Sequence, residues 1–121
     1  MDIRTPHDVT VMRNTGTTAA PVWEHFHLEG VKVDAITGKM ARDNGYSQDD
    51  TMRLLVYLED VRPSVEDWAI SRGDYFTDDL CTPPATPGEW KKANPRVWQV
   101  TQIRPRTALA PVLRHLEITG R

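Results

Sequence analysis

The chain has 121 residues and a mass of 13.8 kDa, a length that holds one domain and lets roughly two-thirds of the unfolded surface be buried. Hydrophobic residues make up 39% and charged residues 26%, which excludes a helical membrane protein and a disordered chain. A formal net charge of −2 is too small to make nucleic acid or an anionic membrane the main partner.

The hydrophobic pattern is that of strands. Asp8–Arg13 sets Val9 and Val11 on one face. Val22, Phe26 and Leu28 share one parity, and Trp23, His25 and His27 the other; Glu29-Gly30 breaks the pattern before Val31, Val33 and Ala35 resume it. A loop follows over Thr37–Asp50, with the turn tripeptide Asp43-Asn44-Gly45. Met52, Leu54, Val56 and Leu58 form the longest alternation. Ser64-Val65-Glu66-Asp67 has the capping hydroxyl and acids of a short helix start, and Gly73-Asp74 reads as a turn feeding a strand at Tyr75-Phe76. Asp78–Pro87 is acidic and then proline-rich, a stiff solvated excursion. Thr86-Pro87-Gly88-Glu89 is a capping box that opens a helix stopped by Asn94-Pro95. In the next strand Val97, Thr101 and Ile103 line one side, Trp98 and Val100 the other; Leu116 and Ile118 close the chain before Gly120. Six to seven short strands with one or two short helices and long loops predict a mainly β fold, a small β-barrel or sandwich, in a single domain over residues 1–121.

The near-neutral total conceals a sorting of charge. Residues 1–42 balance to zero, residues 43–90 carry eleven acids against three cations, and residues 91–121 carry seven cations against Glu117 alone. The acidic and basic segments either fold onto each other or meet between identical subunits, as head-to-tail ring contacts do.

The signatures of catalysis and of cofactor binding fail on spacing. The glycines are scattered singly, so no phosphate-cradling loop is present. His25 and His27 lie two apart without a third ligand in register, and read as exposed or interface histidines. Cys81 is the only cysteine and has no local nucleophile motif. It also makes no intrachain disulfide, and the N-terminus lacks the basic-then-apolar layout of a secretory signal, so nothing points to an oxidising compartment. Asp49-Asp50, Glu59-Asp60 and Asp78-Asp79 lack calcium-loop spacing. Arg72-Gly73-Asp74 spells an adhesion tripeptide that a turn explains. A non-enzymatic binding or structural module, with no metal and no cofactor, is the expectation.

Taken in order, several marks resemble the minor capsid proteins of tailed bacteriophages with long non-contractile tails, encoded among the head–tail joining genes. They are the opening Asp8-Val9-Thr10-Val11; Trp23 leading to Leu28-Glu29-Gly30-Val31; Asp43-Asn44-Gly45 before the strand around Asp50–Leu58; Trp68 ahead of Gly73-Asp74; Thr86-Pro87 with a Lys-rich helix; Val97-Trp98-Gln99-Val100-Thr101; and Arg114-His115-Leu116-Glu117-Ile118-Thr119-Gly120. A Gly-Asp turn and a later strand with Trp98, Val100 and Ile103 are similar to the head-closure, or stopper, proteins of phage necks. The excursion at Asp78–Pro87 departs from that pattern, where family members often place a glycine.

The resemblance implies a virion protein of the head–tail neck: a small β-barrel forming a sixfold or twelvefold ring of itself below the portal. A portal-adaptor protein would lie on the head side and a tail terminator or tail tube on the tail side. Packaged DNA would lie nearby without specific binding, and no membrane is involved. Interface positions expected on this reading are Lys39, Arg42, Asp43, Tyr46 and Asp49 in a loop aimed along or into the ring axis, Asp78 and Asp79 in the acidic excursion, and Arg104, Arg106 and Arg114 in the basic segment. The alternatives are a tail terminator or other protein near the tail tube and, outside the virion, a small β-barrel enzyme or nucleic-acid-binding domain.

Overall fold

The computed structural model describes residues 5–35 and 51–121. Among them are seven strands: β1 (His7–Asn14), β2 (Trp23–Ala35), β3 (Met52–Tyr57), β4 (Arg62–Pro63), β5 (Tyr75–Thr77), β6 (Val97–Arg106) and β7 (His115–Gly120). One α-helix, α1 (Pro87–Ala93), precedes β6, and a 3-10 turn over Pro111–Leu113 lies in the β6–β7 connection. All pairings are antiparallel, in the order β1-β5-β6-β7-β3-β2-β4, and a further β1–β2 pairing returns the sheet to its start. The mainly β class with seven strands is therefore as the alternation predicts, though two of the strands are long, and the sheet closes in a ring. No helix among the described residues is long and apolar enough to cross a membrane.

Two long strands make the closure. β2 pairs with β1 and β4 before Lys32 and with β3 from there on; β6 pairs with β5 from Val97 to Gln99 and with β7 from Val100 onward. Each carries one extra residue where it passes between neighbours. In β2 His7 faces Val31 while Asp8 faces Glu29, which leaves Gly30 over, at φ +75°, its N–H donating to the Asp8 carboxylate at 3.2 Å. A side chain there would meet the Asp60 carbonyl at 2.9 Å, so glycine suits both the left-handed backbone and the space. In β6 Val100 faces Gly120 and Gln102 faces Thr119, which leaves Thr101 over, its hydroxyl donating to the Thr119 carbonyl at 3.2 Å.

A bulge flips the inward parity, because side chains alternate with a period of two. Phe26 and Leu28 point inward before Gly30, and Val31 and Val33 after it. The break expected at Glu29-Gly30 is thus a bulge within one strand. Likewise Trp98 and Val100 share the core with Ile103 rather than facing away from it, and Thr101 is exposed. These side chains join Val9, Val11, Leu54, Val56, Phe76 and Ile118 in one core; each fully buried large side chain contributes roughly 1.5–3 kcal/mol.

A smaller cluster of Met12, Trp90 and Val97, with Trp23, Tyr75 and Cys81 against it, covers the outside of β1, β5 and the start of β6. Trp23 and Tyr75 meet edge to face at 5.9 Å. α1 supplies Trp90, and it starts as its sequence predicts: the Thr86 hydroxyl accepts from the Glu89 N–H at 3.3 Å and Pro87 sits in the first turn. The helix start expected at Ser64–Asp67 is instead a turn. The Ser64 hydroxyl accepts from the His27 N–H at 2.8 Å and the Ser64 N–H donates to the His27 carbonyl at 2.9 Å. The residue that would cap the helix is therefore spent on extending β4 alongside β2.

Candidate interaction surface

On the outer face of β2, β3, β7 and β6 the side chains form three rungs. The first runs Asp34–Arg53–Thr119–Gln102, the second Lys32–Leu55–Glu117–Arg104, and the third Tyr57–His115–Arg106. Arg53 grips Asp34 with two hydrogen bonds, at 3.0 and 3.1 Å, and that grip holds its guanidinium above its ordinary value. Partial burial pushes the Glu117 carboxyl up, but Arg106 at 3.2 Å and His115 at 3.6 Å outweigh it and hold the group below its ordinary range. His115 lies against the Tyr57 ring at 4.9 Å and donates its Nδ1–H to the Leu113 carbonyl at 2.8 Å. These contacts tie the foot of the β6–β7 loop to the sheet.

That loop is the most unusual surface of the described residues. From Ala108 to Leu113 six apolar residues follow one another, and all six are exposed. Leu109, Val112 and Leu113 expose 44%, 49% and 46% of their surface. Leu58, expected on the core side of its strand, lies past the end of β3 and is 40% exposed; its N–H donates to the Arg114 carbonyl at 3.1 Å, which sets it at the base of the same loop. Scattered exposed aliphatics are ordinary, whereas a contiguous group marks a contact surface. Arg104 and Arg106 project from the adjoining end of β6, and Arg114 closes the loop by donating to the Leu109 carbonyl at 3.1 Å. So three of the residues expected at an interface lie beside an aliphatic tip that has no strand alternation.

The acidic excursion is placed differently from expectation. Asp78 is ion-paired with Arg96, whose guanidinium also lies over the Trp98 ring at 5.0 Å. Here the acidic and basic segments meet within one chain. The next residues are strapped to the sheet: the buried Thr10 hydroxyl donates to the Asp79 carbonyl at 2.7 Å and accepts from the Cys81 N–H at 3.0 Å, and His27 Nε2 donates to the Cys81 carbonyl at 2.9 Å. Cys81, Pro83 and Pro84 are half-buried and Pro87 is buried, so the segment is a strap rather than a solvated excursion. The Asp79 side chain itself remains at the exposed surface beside Leu80. Lys39, Arg42, Asp43, Tyr46 and Asp49, with their loop, lie outside the described residues.

On β2 His25 is exposed and His27 is tied to the strap, and the adhesion-like tripeptide lies in a turn. His25 and His27 stand 5.7 Å apart, and no group of three or more His, Cys, Asp or Glu among the described residues is arranged to hold a metal ion. Asp74 is buried, and its carboxylate accepts from the Ser71 N–H at 2.7 Å across a turn with Gly73 at φ +93°. Burial pushes this carboxyl above its ordinary value against the pull of the backbone hydrogen bonds. No family model, curated protein or solved structure matches the chain.

Proposed function

We propose that the chain is a structural subunit of the tailed-phage neck, of the head-closure class, which assembles into a ring below the portal and its adaptor and docks the tail. The observation that carries this reading is the β6–β7 loop, where exposed Leu109, Val112 and Leu113 stand over Arg104, Arg106 and Arg114. An apolar centre with an arginine rim is the composition of a protein–protein contact. A sheet closed by its own pairing supports the reading too. It spends most of its strand edges internally, the two-residue β4 being the terminal strand, so association falls mainly to loops and side chains, as a ring subunit requires.

In this role the protein works by fit and charge and carries out no reaction. Copies of itself, in a sixfold or twelvefold ring, are its first partners, with the adaptor above and the tail terminator or tail tube below. The test is cryo-EM of virions that carry the protein. The seven-stranded ring of residues 5–35 and 51–121 should fit a repeated density between portal and tail; its absence from the neck overturns the proposal.

A further inference from the structure

The geometry points to a head-to-tail contact in which the β6–β7 loop of one copy seats on the Trp90 side of the next; the inference rests on the ring reading above. The exposed large aliphatic side chains of the described residues fall into two groups. Leu58, Leu109, Val112 and Leu113 gather at the loop, and Val22 and Leu80 make up the rest. Val22 and Leu80 immediately precede Trp23 and Cys81, both of which pack on the Trp90 cluster. The two groups flank opposite ends of β6: the loop follows Arg106, whereas the strap and α1 lead into Val97. A ten-residue strand separates its ends by up to ~30 Å.

Charge favours joining unlike ends. Each apolar element of the Trp90 side has an exposed acid beside it in the chain: Glu24 after Trp23, Asp79 before Leu80, and Glu89 before Trp90. Lys91 and Lys92, exposed in the last turn of α1, offset part of that acid, so this side is mixed in sign where the loop end is basic. The loop brings Arg104, Arg106 and Arg114. Two loops set against each other in a two-fold dimer would oppose these arginines with their own copies, a repulsive arrangement. A contact between two different patches is heterologous, and when its rotation closes it makes a ring.

Site-directed cross-linking of the full chain tests this. In a Cys81→Ser background, Thr82→Cys and Ala110→Cys place one thiol on each patch, and a short bis-maleimide is added at several protein concentrations. The expected result is a ladder of dimer, trimer and higher species that ends at a closed ring. Either single-cysteine chain should stay monomeric, and adding Leu113→Glu should cut the species above dimer about tenfold. Dimers formed by the Ala110→Cys chain alone would overturn the contact in favour of loop-to-loop pairing, and monomer throughout would overturn it outright. A full ladder from a protein that cryo-EM does not find in the neck keeps the contact and removes the neck reading; neck density without a ladder does the reverse.

Discussion

Gly120, the last residue of β7, lies directly against Phe76 of β5. A Cβ at position 120 would stand 2.7 Å from Phe76 Cε1 and 3.0 Å from the Trp98 Cβ. Phe76 is fully buried and cannot retreat, and its ring is already 5.6 Å from that of Trp98. Gly120→Ala should therefore destabilise the fold by about 1–3 kcal/mol through overpacking. Urea denaturation would show a lower midpoint at unchanged slope. Wild-type stability in the variant would mean that β5 and β7 are not held this closely.

Thr10 makes a second, separable prediction. Its buried hydroxyl serves both the Asp79 carbonyl and the Cys81 N–H. Thr10→Val keeps the shape and leaves both backbone groups without that partner, at a cost of about 1–3 kcal/mol. The strap should loosen before the sheet does. Thiol labelling of Cys81 should accelerate under native conditions, while the far-ultraviolet spectrum stays that of a β protein.

Two carboxyls pull the pH dependence in opposite directions. Glu117 has its folded value lowered from the ordinary 4.5, so its contribution is fully present above that value and is lost as pH falls through the lower, folded one. Glu117→Gln should be less stable than wild type at pH 7 and should converge with it in acid. Asp74 has its folded value raised from 3.8. Its favourable contribution exists below that value and is lost as pH rises through the folded one. Asp74→Asn, whose amide oxygen can still accept from Ser71, should be more stable than wild type at neutral pH and lose that advantage in acid. Urea midpoints between pH 3 and 8 separate the two signs.

Arg104 and Arg106 sit two residues apart on the same face, yet they should respond differently to charge reversal. Arg104 faces solvent, and with the Gln102 amide turned its oxygen would accept from the Arg104 guanidinium at 3.0 and 3.2 Å. Arg106 instead holds Glu117. Arg104→Glu should impair assembly and leave folding stability within about 0.5 kcal/mol of wild type. Arg106→Glu should impair both, since it sets two carboxylates together. Sedimentation velocity and thermal melts on the two variants give the comparison. Unchanged assembly for Arg104→Glu would count against a role for the basic segment between subunits.

The sequence made the strands legible wherever one face is core and the other solvent, as at Val9 and Val11 or Leu54 and Val56. It misled where a bulge intervenes: nothing in Val100-Thr101-Gln102 announces an extra residue, and only the tertiary partner Gly120 reveals it. The turn at Ser64 reads as a helix cap because the residue types suit both, and the choice is made by His27, far away in the chain. The arginines of the candidate surface stood out as a charge run. The aliphatic tip did not, because Ala108–Leu113 fits neither a strand period nor a helix period. An apolar run without periodicity between two strands was itself the available signal.

The place of β7 also bears on how the protein is made. This strand lies between β3 and β6, and without it the ring is open on that side. A nascent chain can pair β1 with β2 early, and β3 with β2 soon after. The core around Ile118 stays exposed to solvent until residue 120 has left the ribosome. Closure is then a single late event that joins segments distant along the chain, which slows folding and leaves open strand edges on the half-finished sheet until then.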